Sequence, residues 1–147
     1  MSNVIIRQPI TGSTGAYAQY DSVGGLINVD ASALAAPSDS VLNNVLVLCK
    51  SAAAPITLYF FRDEPATSTI TDNAAINVTA ADFANIVGVA QVEATDYYTI
   101  DSQYVASVSN LGIPLGFKDE DVYIVINCDG AFTLTAATDM SLVLGCF

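Results

Sequence analysis

The chain contains no histidine. That removes the commonest general base and the commonest transition-metal ligand, and with them a serine triad or a Cys-His pair built from this chain alone. Basic residues are scarce as well. Arg7, Lys50, Arg62 and Lys118 stand against fifteen acids, a formal net charge of −11. Such a surface repels phosphate, which argues against nucleic-acid binding, and it repels anionic lipid for the same reason. Cysteine is limited to Cys49, Cys128 and Cys146, an odd count with no CxxC spacing. Each sits in an apolar run, where a reduced thiol acts as a small hydrophobe; the alternative is an intermolecular disulfide through Cys146. No basic, apolar leader opens the sequence, so secretion is not expected, and the Asn77-Val78-Thr79 sequon then has no consequence. No apolar run reaches the length of a membrane span.

Hydrophobic residues make up 52% of the 147 and charged residues only 13%. A chain of this length forms one domain, here 1–147, and buries about 68–70% of its unfolded surface without a metal or disulfide staple. The low charge leaves apolar surface to be covered. Either a subunit interface covers it, or a tightly closed sandwich carries Ser, Thr and Asn on its outer faces.

Periodicity places strands at 45–49, 56–62, 89–93, 104–108, 122–128 and 141–146. Val45-Leu46-Val47-Leu48-Cys49 is a continuous apolar run, the pattern of a strand buried on both faces. Residues 56–62 are aromatic and branched, and Asp63-Glu64-Pro65 ends them because proline removes a ladder donor. After 122–128, Asp129-Gly130 reads as the positive-φ pair of a tight hairpin, with 131–135 returning antiparallel. Residues 20–29, interrupted by Gly24-Gly25, read as a strand pair or a bulged strand, and 31–40 as a connection. Val4-Ile5-Ile6, closed by Pro9, is either an edge strand or part of an extended N-terminal arm over 1–15. One helix of about two turns is expected, with Thr79 as N-cap, Asp82 on the free amides of its first turn and Gly88 as its closing residue. Ala80, Phe83, Ala84 and Val87 would form its apolar stripe against a sheet. Seven to nine short strands and one short helix make a mainly β chain, an antiparallel β-sandwich with the jelly roll as one arrangement.

Little in the sequence reads as chemistry. Lys50 or Lys118 would be needed for a Ser-Lys dyad, but neither lies in a positioning motif, and a strand-end lysine reads as an edge charge. Asp63-Glu64 and Asp96/Asp101 are the acid pairs a carboxylate-dependent hydrolase would use, yet both groups sit at turns where acids are common. Asp119-Glu120-Asp121 lacks the alternating acids and central glycine of an EF-type loop; it reads as a solvated turn, with calcium as the alternative. Gly12-Ser13-Thr14-Gly15 lacks the Gly-Lys-Ser/Thr of a phosphate loop. Tyr97, Tyr98 and Tyr104 form an aromatic patch, read as an interface, with sugar stacking as the alternative. No catalytic residue, metal or cofactor is therefore expected. Val4, Ile5, Ile6, Tyr97, Tyr98 and Tyr104 are the interface candidates.

Two segments carry a resemblance. Residues 71–92, Thr-Asp-Asn-Ala-Ala-Ile-Asn-Val-Thr-Ala-Ala-Asp-Phe-Ala-Asn-Ile-Val-Gly-Val-Ala-Gln-Val, are similar to the pattern "tDNaA…l…aD…ivGvv" of small tailed-bacteriophage virion proteins. Arg7-Gln8-Pro9 through Tyr17-Ala18-Gln19-Tyr20-Asp21-Ser22-Val23-Gly24 resembles that family's "RPa…taYaagDvvg", with Gln8 inserted and Tyr20 where a glycine is usual. Phe60-Phe61 and Asp63 fall between them, where the family has its "lyLF…" strand end. The resemblance implies a non-enzymatic protein of the capsid-decoration or cement type. Its partner would be the major capsid protein, its place the virion's capsid exterior, and its site of assembly the bacterial host cytoplasm. A homotrimer at three-fold lattice positions is the assembly this role suggests. The alternative function is a receptor- or glycan-binding module of a phage tail or surface appendage.

Overall fold

A computed structural model describes residues 4–30, 40–114 and 121–147. The connection expected over 31–40 falls outside these residues except for Ser40, as do Lys118, Asp119 and Glu120. In chain order the elements are β1 (Val4–Ile10), β2 (Ala16–Tyr17), β3 (Ile27–Asp30), β4 (Val41–Cys49), β5 (Ile56–Phe61), α1 (Ala80–Phe83), β6 (Ile86–Val92), β7 (Tyr98–Ile100), β8 (Gln103–Val108), β9 (Ile113–Pro114), β10 (Asp121–Cys128), β11 (Phe132–Thr133) and β12 (Met140–Cys146). A 3-10 turn, Ala94–Asp96, precedes β7.

The strands form two sheets and a small ribbon. The larger sheet runs β1-β12-β4-β8-β7, with β9 paired to the start of β4. The smaller runs β3-β10-β5-β6, and β11 pairs with β2. Every strand pairing is antiparallel. Alternate side chains of each sheet meet in one sandwich core. Leu42, Val45, Val47 and Cys49 of β4, with Met140, Leu142, Leu144 and Cys146 of β12, share a cluster with Ile56, Leu58 and Phe60 of β5 and Val122, Ile124, Ile126 and Cys128 of β10. That cluster contains no charged residue.

Five local readings are decided or changed by the structure. The apolar run of β4 is not buried on both faces: Val45, Val47 and Cys49 point inward, while Leu46 and Leu48 are only half-buried on the outside. Of the two alternatives for the N-terminal run, edge strand or extended arm, residues 4–10 take the edge strand, paired with β12 from Val4↔Cys146 to Ile10↔Met140. Pro9 lies inside β1 rather than closing it, which an edge strand permits because one side of its ladder is empty. Asp129 and Gly130 do not make a positive-φ hairpin; those angles occur instead at Asp101 (49°) and Ser102 (63°), between β7 and β8. Asp129 is held elsewhere, taking hydrogen bonds from the Thr57 hydroxyl at 2.6 Å and Asn127 Nδ2 at 2.7 Å, so the chain runs on to pair β11 with β2.

The helix is the fifth. It is a single turn, Ala80–Phe83, and its expected stripe faces the wrong way: Phe83 is 67% exposed while Asp82 is 6% exposed. Ladder formation wins over a second turn, because β6 already pairs with β5 from Ile86↔Phe61 onward. Gly88 therefore sits inside β6, and it does not cap the helix. A Cβ there would lie 2.5 Å from Ile113 Cδ1 and 2.7 Å from its Cγ1 and Cγ2. The missing side chain lets Ile113 seat between the sheets. Gly88→Ala should lower stability by about 1–3 kcal/mol through overpacking. In urea unfolding the Gly88→Ala, Ile113→Val pair should cost less than the sum of the single changes, because the two residues touch.

Candidate functional site

Between β5 and β6 the chain leaves the sheet and folds back over its outer face. Two carboxylates fasten this flap. The first is Asp72, whose Oδ1 accepts the Tyr17 hydroxyl at 2.7 Å and the Gly24 amide at 2.7 Å. Tyr17 is buried, stacks on Phe132 with ring centroids 5.0 Å apart, and takes the Ser13 amide on its hydroxyl oxygen at 2.8 Å. Burial is the main cause that pushes its pKa up. Around this point the backbone is laced together. The Asn73 amide donates to Ser22 O at 2.8 Å, the Ser22 amide to Ala74 O at 2.9 Å, and the Ile76 amide to Tyr20 O at 3.1 Å. Tyr20 holds a φ of 75°, the left-handed region that favours glycine.

Asp82 is the second fastening. It accepts hydrogen bonds from the Ser68 hydroxyl at 2.6 Å, the Thr67 hydroxyl at 2.9 Å and the Thr67 amide at 3.1 Å. Thr79 caps the helix as expected, its hydroxyl accepting the Asp82 amide at 3.3 Å. The carboxylate was expected on the helix amides and instead ties the helix to the loop before it. The Ser68 hydroxyl, followed by the groups of Thr67, holds its carboxyl below the ordinary range.

Between flap and sheet lies a hollow of about 340 Å³, walled by Tyr59, Phe61, Val78 and Val125 with Tyr20 and Phe83 among its lining residues. Tyr20 and Phe83 are both well exposed. The lining is apolar and aromatic apart from Asn127, so the hollow suits an apolar side chain.

The interface candidates scatter. Ile6 lies in the core with Val4 packed against it, and only Ile5 points outward. Tyr97 packs against the core, donates its hydroxyl to Ala54 O at 2.7 Å and is pushed up in pKa by burial. Tyr104 meets it edge-on at 6.4 Å. Tyr98 pairs with Val105 and faces the other way, so the three rings do not form one exposed platform for a sugar. Asp63 and Glu64 are exposed, and Asp96 caps the turn before it by accepting the Glu93 amide at 2.8 Å. Among the described residues no group of three His, Cys, Asp or Glu is placed to hold a metal ion, and no helix is long and apolar enough to cross a membrane. All three cysteines are free and buried. Burial pushes the thiols of Cys128 and Cys146 up to about 11. Cys146 belongs to the core cluster, 2% exposed. Sequence reading missed Asp72 as a fastening because its partners, Tyr17 and Gly24, lie far away along the chain.

Neither protein-family models nor curated proteins give a match to this chain.

Asp72→Ala strands the Tyr17 hydroxyl and the Gly24 amide, and should destabilise by about 1–3 kcal/mol in denaturant melts. For Asp82 the folded pKa is depressed. Its contribution is therefore complete above the unfolded carboxylate value of about 4 and is lost as pH falls through the folded value. Asp82→Asn should melt below the wild type at neutral pH, with the gap closing as the solution is acidified.

Proposed function

We propose that the chain is a structural, non-enzymatic virion protein that decorates the outer capsid surface of a tailed phage. There it would bind the major capsid protein and strengthen the head, after assembly in the host cytoplasm. One observation carries this reading. The two segments that resemble phage virion proteins, distant in sequence, meet at Asp72, where Tyr17 and Gly24 of one are bonded to the carboxylate of the other. The two segments thus belong to one hydrogen-bonded unit of this chain, which supports reading them together.

The chemistry of the surface is compatible with this role. A net charge of −11 is tolerated outside a capsid and would be repelled by the packaged genome inside it. Repetition on a lattice turns modest contacts into durable attachment. A sandwich fastened by internal hydrogen bonds can be displayed in many copies without rearranging.

Electron microscopy of virions carrying a tagged copy of the chain tests the role. Density on the outer head shell is expected, and heads stripped of the chain should release DNA at lower temperature. Density confined to the tail, or missing from the head, overturns the reading.

A further inference from the structure

The hollow beneath the flap offers ring faces and an acceptor, and its lining carries no basic group. Four of its members are aromatic: Tyr20, Tyr59, Phe61 and Phe83. Tyr20 and Phe83 are 63% and 67% exposed, so both rings keep much of their surface open to an incoming group. The one amide in the lining, Asn127, has its orientation set by its neighbours. Its Nδ2 donates to Asp129 Oδ1 at 2.7 Å and to Cys128 O at 3.2 Å. A carboxylate only accepts, so the nitrogen must face Asp129, and Oδ1 is left as the accepting end.

Two carboxylates share this end of the hollow. Asp129 is bonded directly to Asn127, and Asp21 follows Tyr20. The Tyr20 amide donates to Cys128 O at 2.7 Å and the Cys128 amide to Asp21 O at 2.9 Å, which ties residues 20–21 alongside 127–128. Both acids are half-buried, where salt screens a charge less than at the open surface. No described base neutralises them at close range. Arg7 lies in β1 and Lys50 follows β4, both on the other sheet, while Arg62 beside Phe61 is followed at once by exposed Asp63 and Glu64.

We propose that the hollow receives an arginine side chain from the surface of a partner protein. The apolar stem of arginine would lie against Val125 and the rings, and its planar guanidinium would stack on an aromatic face. Its donors would meet Asn127 Oδ1 and the carboxylates of Asp21 and Asp129, giving charge-assisted hydrogen bonds. Other occupants fit less well. A purely apolar side chain would cover the Asn127 oxygen and leave it unpaired. Lysine carries a more strongly hydrated ammonium that cannot stack as a plane. An anion meets acceptors and a net charge of −11, and a second copy of the chain brings the same charge. Size agrees, since about 340 Å³ lies at the lower end of the range of about 300–1,000 Å³ for ligand pockets. The inference does not depend on the capsid role.

An NMR titration of the full chain tests it. The probe is N-acetyl-arginine amide, and the control is N-acetyl-citrulline amide, in which a neutral urea replaces the guanidinium at nearly the same shape. Arginine amide should shift the resonances of Tyr20, Tyr59, Phe83 and Asn127, and added salt should weaken its binding. Citrulline amide should bind about tenfold more weakly or worse. Phe83→Leu, which removes an exposed ring, and Asp21→Asn, which removes a charge, should each weaken arginine amide by about threefold or more. Tyr98→Ser, on the other sheet, should leave it unchanged, with circular dichroism showing all three variants folded. Equal binding of the two amides overturns the proposal, as does an absence of shifts at the hollow. Binding that survives both Phe83→Leu and Asp21→Asn overturns it as well.

Discussion

Apolar side chains from β4 and β12 close against those of β5 and β10, and among the described residues the one buried charged side chain, Asp82, lies away from them in the flap. The rest of the molecule adjusts to that contact. Alternation in each strand sends every second residue inward, so the remaining residues must face outward whatever their chemistry. In the smaller sheet the outward residues are covered by the chain's own flap. In the larger sheet they mix apolar side chains such as Leu46, Leu48 and Val105 with polar ones such as Arg7, Gln103 and Ser107.

The flap shows how few polar groups are needed to hold a long excursion. Residues 62–85 contain a single helical turn, too short to persist by itself. Asp72 draws in Tyr17 and Gly24, and Asp82 draws in Thr67 and Ser68. Each carboxylate satisfies donors that would otherwise be left over in a loop, so acidity in this chain serves as internal fastening as well as surface charge. The hollow beneath the flap follows from this arrangement, since the helix is pulled down by Asp82 while Phe83 is left outside.

Strands with strong apolar and β-branched content were legible, and β5, β8, β10 and β12 lie within a residue or two of where periodicity puts them. Elements that depend on partners were not. The two-residue strands β2 and β11 exist only because each pairs with the other. Gly88 looks like a helix cap along the chain, but its role is to make room for Ile113, a residue well beyond it. Likewise Asp129-Gly130 carries a hairpin signal, which Thr57 and Asn127 override by holding the Asp129 side chain. Of the three tyrosines, Tyr97 and Tyr104 meet edge-on while Tyr98 faces away, because successive residues along an extended chain point to opposite faces.

The amino-acid sequence by itself determined the mainly β character, the lack of histidine chemistry and the shortage of charge. These depend on composition and short-range periodicity, which any stretch of chain carries within itself. Only the tertiary structure decided which apolar residues became core and which became an open face, and which acids became fastenings. The reason is register: strand pairing across long separations sets which side of a sheet each residue faces. Thus Leu46 and Val47, adjacent and alike in chemistry, end on opposite sides of the same strand, one in the core and one on the surface.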